Sequence, residues 1–140
     1  MLRPPPTPTP MTAKHHTDLK AWNLAIDLAV ATHRFVETFP REYRIAYGDQ
    51  FRRAAVSVAA NIAEGAARQH RKELRQFLSI SRGSLAELHT LQEIARRLKI
   101  SGEAELALLS DLLDHTGRTL TLLIRAVSGA AAPKRATRAA

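Results

Sequence analysis

Hydrophobic residues recur at intervals of three and four along most of this chain, which is the period of an amphipathic α-helix. The first such segment begins at Asp18, and Pro40 ends it because the residue before a proline avoids the helical region. Two apolar stripes run along it, so it is expected to contact more than one neighbouring helix. The inward seam is predicted to be Leu19, Trp22, Ile26, Ala29, His33 and Val36, and the second stripe is Leu24, Leu28, Phe35 and Phe39.

The second segment is rich in alanine and is predicted to lie at the centre of the packing. Residues 40–48, PREYRIAYG, are interpreted as a connector. Asp49 then caps the next helix by accepting hydrogen bonds from exposed backbone N–H groups. Because most of the other side chains here are alanines, a partner helix can approach closer than the usual separation of about 8–10 Å between axes. The inward seam is Phe51, Ala55, Val58 and Ile62.

Two further helices follow the same period. The third is predicted to span Lys72–Leu98 and to lie antiparallel to the second, because the turn around residues 65–71 is short. Gly83 inside it is interpreted as permitting close contact with another helix. Ser101 is the predicted cap of the fourth helix. The seam of that helix is the most regular heptad in the chain: Leu106, Leu109, Leu113, Thr116, Leu120, Leu123 and Val127.

These four helices, with short connections and no strand signal, predict an all-α fold, an antiparallel up-down-up-down four-helix bundle. Residues 17–129 form this bundle. Residues 1–16 are predicted to be a disordered Pro/Thr-rich arm, since alternating prolines disfavour helix, and residues 130–140 a disordered basic tail.

Net charge and composition narrow the functional classes. The formal net charge is +8, to which the predicted tails contribute through Arg3, Lys134, Arg135 and Arg138. A mildly basic domain with basic tails can attract nucleic acid, although such charge also serves solubility. The chain has no cysteine, no signal-peptide pattern and no apolar run long enough to span a membrane, so a soluble cytoplasmic protein is expected.

Enzymatic and metal chemistry find little support in the residues. No Glu-x-x-His motif for a di-iron centre, no glycine-rich phosphate loop and no nucleophile elbow occur. Asp111 and His115 share a helix face, but one such pair cannot fill the coordination shell of a metal. His33 is interpreted as a hydrogen-bonded core histidine. We therefore expect no catalytic site, no cofactor, no small-molecule substrate and no membrane partner.

A polar register network is one of two remaining features of interest, and its residues are Asn61, Glu64, Ser84 and Glu87. Ser57 precedes them on the same side of helix two, and Ser84 and Glu87 can face this side from helix three. Because buried polar groups must be satisfied, such a network would select one register of the two helices. The alternative is a set of half-exposed residues near a helix boundary.

The second feature is a basic set of eight residues, four of which, Arg68, Arg71, Lys72 and Arg75, cluster at the turn between helices two and three. The other members are Arg52, Arg53, His70 and Arg82. Neighbouring arginines can grip phosphates bidentately, and helix N-termini favour anions. No interleaved aromatic residues accompany the charges, so phosphate contact is expected without base reading. A solvated surface or ion pairs between subunits are the alternatives. The candidate nucleic-acid-binding residues are Arg52, Arg53, Arg68, Arg71, Lys72 and Arg75.

Three blocks of sequence together resemble a known family: DLKAWNLAIDL from Asp18, RRAAVSVAANIAEG over Arg52–Gly65, and KELRQFLSISRGSLAEL over Lys72–Leu88. They are similar to the four-helix-bundle proteins encoded within intervening sequences of bacterial large-subunit rRNA genes. The resemblance covers roughly Asp18 to Val127. It implies an antiparallel bundle that assembles into a ring, a homopentamer. It also implies a fold similar to the accessory variability determinant proteins of diversity-generating retroelements, which partner a reverse transcriptase and bind nucleic acid. The family has no established catalytic site.

The leading hypothesis is a non-enzymatic, homo-oligomeric bundle whose basic surface contacts RNA or a nucleic-acid-processing partner. Helix two, or the turn after it, is expected near a subunit interface because its small side chains suit close approach. The alternative is a structural protein–protein interaction module that binds no nucleic acid.

Overall fold

The computed structural model describes residues 15–16 and 19–129, and over these residues it contains four α-helices and no strand. The helices are α1 (Lys20–Glu37), α2 (Arg41–Ala66), α3 (Arg71–Leu98) and α4 (Glu103–Ser128). The predicted all-α four-helix fold is therefore confirmed. The predictions for the Pro/Thr-rich arm and the basic tail lie outside the described residues, apart from His15 and His16.

The helices pack in a closed ring of neighbours, in the order α1, α2, α3, α4 and back to α1. Contacts between α2 and α3 run in opposite sequence order. Ser57 meets Ser84, whereas the position that a Gly65 Cβ would occupy lies 2.9 Å from Phe77 Cβ, nearer the start of α3. These two helices are therefore antiparallel, as the short turn between them predicts.

The core lies along the axis of this ring and is almost entirely aliphatic and aromatic. Phe35, Phe39 and Phe51 contact one another edge to face, with ring centroids 5.1–5.6 Å apart. The predicted seam of α2 is fully buried. In α4 the middle of the predicted heptad is buried and its two ends are partly buried. The largest fully buried side chains are Phe35, Phe51, Leu28, Ile62, Leu78, Leu88, Leu109 and Leu120.

The inward seam predicted for α1 is wrong in its middle, where Ile26 and His33 are exposed. The core face is the second stripe, extended by three alanines, and Val36 is the only fully buried member of the predicted seam. Alanines are small and weigh little in a hydrophobic pattern, yet they let α1 approach its neighbours closely. The buried residues of α1 are Ala21, Ala25, Leu28, Ala31, Thr32, Phe35 and Val36.

The predicted connector before α2 is also wrong, because α2 already begins at Arg41 with Pro40 as its N-cap. Gly48 is not a turn glycine but a buried helical residue. A Cβ at this position would lie 3.2 Å from Val36 Cγ1, so glycine permits the close contact between α1 and α2. Asp49 caps nothing and instead pairs with Arg52.

Two further local predictions fail. Gly83 is exposed, and a Cβ there would meet nothing within 4 Å, so it mediates no close helix contact. The N-cap of α4 is Gly102 rather than Ser101, and no side chain caps that helix end. The backbone N–H of Gly102 donates to Thr38 Oγ1 at 2.9 Å, which ties the start of α4 to the end of α1.

Candidate nucleic-acid interface

The six basic residues predicted from sequence do not form one surface. Arg52 and Arg53 lie near the middle of α2, whereas the other four follow its end or begin α3. The helix between Arg53 and Ala66 is about 20 Å long. Phosphates bound at one group would therefore not lie within reach of the other.

Two of the six are already engaged by carboxylates. Arg52 Nη2 lies 3.2 Å from Asp49 Oδ1. Arg68 Nη2 lies 2.9 Å from Glu64 Oε1, and its guanidinium stacks 4.9 Å from the centroid of the Phe77 ring. Arg68 therefore faces the α2–α3 side of the bundle, in a pairing that a ligand would have to displace.

Charge is distributed unevenly between the two halves of the bundle. Cutting each helix at its midpoint gives a basic half, residues 19–28, 54–84 and 116–129, and an opposite half, residues 29–53 and 85–115. The basic half carries eight lysines and arginines against three acids, a net charge of +5. The opposite half carries eight against nine, a net charge of −1. A polyanion is therefore attracted to one half of this molecule.

In the opposite half, several arginines are neutralised locally. Glu93 accepts hydrogen bonds from Arg96 at 2.7 and 2.8 Å and from Arg97 at 2.9 Å. These two arginines hold the pKa of the Glu93 carboxyl at about 2, below its ordinary value of 4.5. The carboxylate is thus charged at all physiological pH values and offsets one of the two positive charges next to it.

The register of α3 against α4 is given by three contacts along their length. Gln92 Nε2 donates to Ser110 Oγ at 2.6 Å, and a Cβ at Gly117 would lie 3.4 Å from Leu85 Cδ2. At the basic end, a Cβ at Gly129 would lie 4.0 Å from Arg71 Nη1. The helices are therefore antiparallel. The same register places Arg82 level with Arg118, and Arg75 level with Arg125.

Arg82 lines a shallow cavity between α3 and α4, and Arg118 and Arg125 line an adjoining one on α4. Arg71 and Arg75 precede Arg82 on α3. We call the surface that carries these five arginines the arginine groove. Two adjoining cavities of about 490 and 460 Å³ form its central part and share Leu113, Asp114, Gly117 and Thr121 in their walls. All five arginines are exposed, and none makes an ion pair within the described residues. Asp114 is the acidic residue in the groove wall. The residues of the arginine groove are Arg71, Arg75, Arg82, Arg118 and Arg125.

Sequence reasoning found part of this groove. Arg71 and Arg75 are among the six candidates, and Arg82 belongs to the wider basic set. Lys72 lies beside them at the start of α3 and is exposed. Arg118 and Arg125 were missed because they are isolated in sequence and join the others only through the packing of α4 on α3. Their spacing of seven residues, which repeats that of Arg75 and Arg82, is the signal that could have placed them on one helix face.

The polar residues between α2 and α3 meet through Ser57. Its hydroxyl lies 2.8 Å from Ser84 Oγ, and Asn61 Nδ2 donates to Ser57 Oγ at 2.9 Å. Glu64 pairs with Arg68 instead, and Glu87 is exposed on α3. The structure thus brings Asn61 and Ser84 into one half-buried cluster and leaves the two glutamates outside it.

In residues 15–16 and 19–129, no group of three or more histidine, aspartate or glutamate side chains could hold a metal ion. None of the helices in that part of the chain is long and apolar enough to cross a membrane.

Comparison with known proteins agrees with the fold. The family model described as 23S rRNA-intervening sequence protein matches residues 17–122, which include most of the bundle and of the arginine groove. No curated protein matches the chain significantly.

Proposed function

We propose, from the premise that this chain belongs to the family of 23S rRNA-intervening sequence proteins, that it is a non-enzymatic, self-associating bundle that binds nucleic acid by its phosphates. The arginine groove is the binding surface. The ligand is RNA or the nucleic acid held by a processing partner. The cytoplasmic location expected from the sequence stays a prediction.

The observation that carries this proposal is a set of exposed arginines at matching levels of the neighbouring helices α3 and α4. Arg82 lies level with Arg118 and Arg75 with Arg125, without carboxylates paired to them in the described residues. Cations that lie near one another repel, and a bound anion relieves the repulsion. Guanidinium groups bind phosphate oxygens bidentately, which suits a phosphodiester backbone better than a single carboxylate.

The location of the groove adds to its attraction for polyanions. Its five arginines all lie in the half of the bundle whose net charge is +5. The chain continues from Gly129, at this same end, into a sequence that carries Lys134, Arg135 and Arg138. Such a surface raises the local concentration of a polyanion and speeds its association.

The test compares two charge-reversal variants that change the net charge equally. Arg82→Glu with Arg118→Glu alters the groove. Arg44→Glu with Arg53→Glu alters exposed arginines of the opposite half. Binding of a labelled generic RNA is measured by fluorescence anisotropy over a range of salt concentrations. The groove variant is expected to bind about a hundredfold more weakly and to lower the slope of log affinity against log salt by about 2.

The control variant is expected to bind within a fewfold of the wild-type protein. The absence of RNA binding by the wild type at low salt would overturn the proposal. Equal losses in the two variants would show that only the overall charge matters and would remove the groove from it.

Self-association is supported by an exposed apolar surface on the outer side of α1 and α2. Ile26 and Val30 of α1 are 37% and 47% exposed, and Val56 of α2 is 58% exposed. The contact between Val36 and Gly48 sets the register of the two helices and places Val56 level with Val30. Exposed apolar residues that lie at one level of neighbouring helices are candidates for an interaction surface. This surface, the α1–α2 face, is the candidate interface for the homopentamer implied by the family resemblance.

The competing function is a structural interaction module whose arginines form ion pairs between subunits. In that case the groove variant would lose its oligomeric mass, and the wild type would bind no RNA. The α1–α2 face lies on the other side of the bundle from α3 and α4, because the ring order places those two pairs opposite each other. Our proposal therefore predicts that the groove variant keeps its mass.

A further inference from the structure

We infer that the proline-rich segment Pro4–Pro10 of one copy of this chain docks on a tyrosine-containing surface of a second copy. This surface, which we call the tyrosine patch, lies where α2 begins and α3 ends. It consists of Tyr43, Tyr47, Ile94 and Leu98. The inference rests on the self-association proposed above and adds a second contact between copies.

Helix geometry and register bring the four side chains of the tyrosine patch together. Residues 18 apart lie on the same face of an α-helix, because 18 residues complete about five turns. Tyr47 therefore shares a face of α2 with Gly65, which contacts α3, and Tyr43 lies one turn before it. The antiparallel register of α2 and α3 places the two tyrosines level with Ile94 and Leu98.

The patch combines apolar surface with unused hydrogen-bond donors. Both tyrosines are partly buried against the core, whereas Ile94 is 39% and Leu98 is 43% exposed. Neither tyrosine hydroxyl makes a hydrogen bond within the described residues. Tyrosines with an apolar ring and a free hydroxyl are enriched at interaction surfaces.

A proline-rich segment has the chemistry that complements this patch. The sequence PPPTPTP of residues 4–10 favours a polyproline helix, whose carbonyl oxygens accept no internal hydrogen bonds. Its prolines have no N–H group, so the segment mainly offers acceptors. Proline rings pack on aromatic side chains in the recognition of such helices, and a tyrosine hydroxyl can donate to the free carbonyl oxygens. The segment itself lies outside the described residues.

The reach of the chain assigns this segment to a second copy. The segment precedes α1, whereas the tyrosine patch is level with the other end of α1, where Val36 contacts Gly48. The 18 residues of α1 extend about 27 Å, and the patch lies on the far side of α2 from α1. In a polyproline helix Pro8 lies about 25 Å from His16. The segment as a whole therefore cannot lie on the patch of its own chain.

The size of this contact sets its role. A patch of four side chains is far smaller than the roughly 1,200–2,000 Å² that a stable interface buries. Docking of the segment therefore does not hold copies together by itself. It adds to the association of copies that are already joined, because the segment is then present at a high effective concentration.

The test exploits the absence of cysteine from the chain. Full-length chains with Pro6→Cys and with Leu98→Cys are coexpressed, the second with a C-terminal tag, and the mixed disulfide is quantified on non-reducing gels after mild oxidation. Leu108→Cys replaces Leu98→Cys in the matched control, since Leu108 is 51% exposed on α4 in the same half of the bundle. The Leu98 pair is expected to crosslink at least about fivefold more than the Leu108 pair, because docking concentrates the two thiols.

Two further variants test the chemistry of recognition. Tyr43→Phe with Tyr47→Phe, added to the Leu98→Cys chain, removes the hydroxyls and keeps the rings. It is expected to lower crosslinking about threefold to tenfold, because two hydrogen bonds are lost. Replacement of the other prolines of the segment by alanine in the Pro6→Cys chain should lower it as well, because alanine does not favour the polyproline helix.

Three outcomes would overturn the inference in a protein that light scattering shows to be oligomeric. The Leu98 and Leu108 pairs could crosslink equally. The Leu98→Cys chain could form disulfides with itself more readily than with the Pro6→Cys chain, in which case a second patch covers the surface. A chain with both cysteines, coexpressed with an excess of wild type, could form an undiminished disulfide within itself. A monomeric wild type would instead remove the self-association on which the inference rests.

Discussion

Thr116 is a buried hydroxyl residue whose hydrogen bonding sets it apart from others in the same core. Its Oγ1 is without a hydrogen-bond partner among the described residues, although the residue is fully buried. By contrast, Thr32 Oγ1 donates to Leu28 O at 2.7 Å, and Ser81 Oγ donates to Val58 O at 2.8 Å. A buried hydroxyl without a partner loses its hydration and gains nothing in return.

Replacement of Thr116 by valine is therefore expected to stabilise the bundle. The substitution keeps the shape of the side chain and removes the unsatisfied oxygen, so the free energy of unfolding should rise by about 1 kcal/mol. Urea denaturation followed by circular dichroism measures this change. Thr32→Val is the control and should lower the free energy of unfolding, because it removes a satisfied hydrogen bond. A loss of stability in both variants would contradict this account of Thr116.

Single residues also show which parts of the candidate site can be predicted from the sequence and which cannot. Arg71 and Arg75 were predictable because they are clustered in sequence at a helix start. Arg118 and Arg125 were not, because the register that brings them to α3 depends on packing contacts such as that of Gly117 with Leu85. A local charge pattern identifies cations, but tertiary structure decides which of them share a surface.

At the scale of the helices, glycines that look alike in sequence have different consequences. Gly65 and Gly83 both lie inside helices that pack against each other. A Cβ at Gly65 would lie 2.9 Å from Phe77 Cβ, which is closer than such atoms approach in proteins. A Cβ at Gly83 would point into open space. Only the first glycine is required by the packing of α2 on α3.

Alanine substitutions at these two positions are expected to have opposite effects. Gly83→Ala should raise the free energy of unfolding by about 1 kcal/mol, because alanine is the better helix former and meets no obstacle. Gly65→Ala gains the same helix propensity but must push α3 away, so the net change should be destabilising by about 1–3 kcal/mol. Thermal and urea unfolding of the two variants measure both changes. A stabilising Gly65→Ala would show that α2 and α3 can separate without cost.

The elements themselves were largely predictable from the apolar period, and the errors have physical causes. The third and fourth helices match their predicted extents closely, because their seams consist of regularly spaced leucines. The α1 seam was assigned to the larger side chains, whereas Ala21 and Ala25 face the core. The start of α2 was placed too late because Gly48, a packing glycine, resembles a turn glycine. Small residues at close helix contacts are therefore the features that the hydrophobic pattern predicts least well.

At the scale of the whole molecule, the two proposed activities lie on opposite sides of the bundle. The α1–α2 face carries exposed valine and isoleucine side chains, and the α3–α4 side carries the arginine groove. Association through the first face leaves the second accessible in every copy. An oligomer would then present several grooves, and a long strand that reaches two of them gains avidity without any new contact.

This arrangement predicts that association and binding can be disrupted separately. Val56→Asp places a charge in the α1–α2 face and is expected to reduce the mass measured by light scattering to that of a monomer, since desolvation of a charged side chain opposes association. The monomer should still fold, because Val56 is 58% exposed, and should still bind a strand too short to reach a second groove with wild-type affinity. A strand long enough to reach two grooves should bind the variant at least about tenfold more weakly than the wild type, because avidity is lost.

Ile80→Asp, at an exposed isoleucine of α3, is the control and should leave the mass unchanged. A wild-type protein that is monomeric at micromolar concentration, or a Val56→Asp variant that keeps the wild-type mass, would show that the α1–α2 face does not join the subunits.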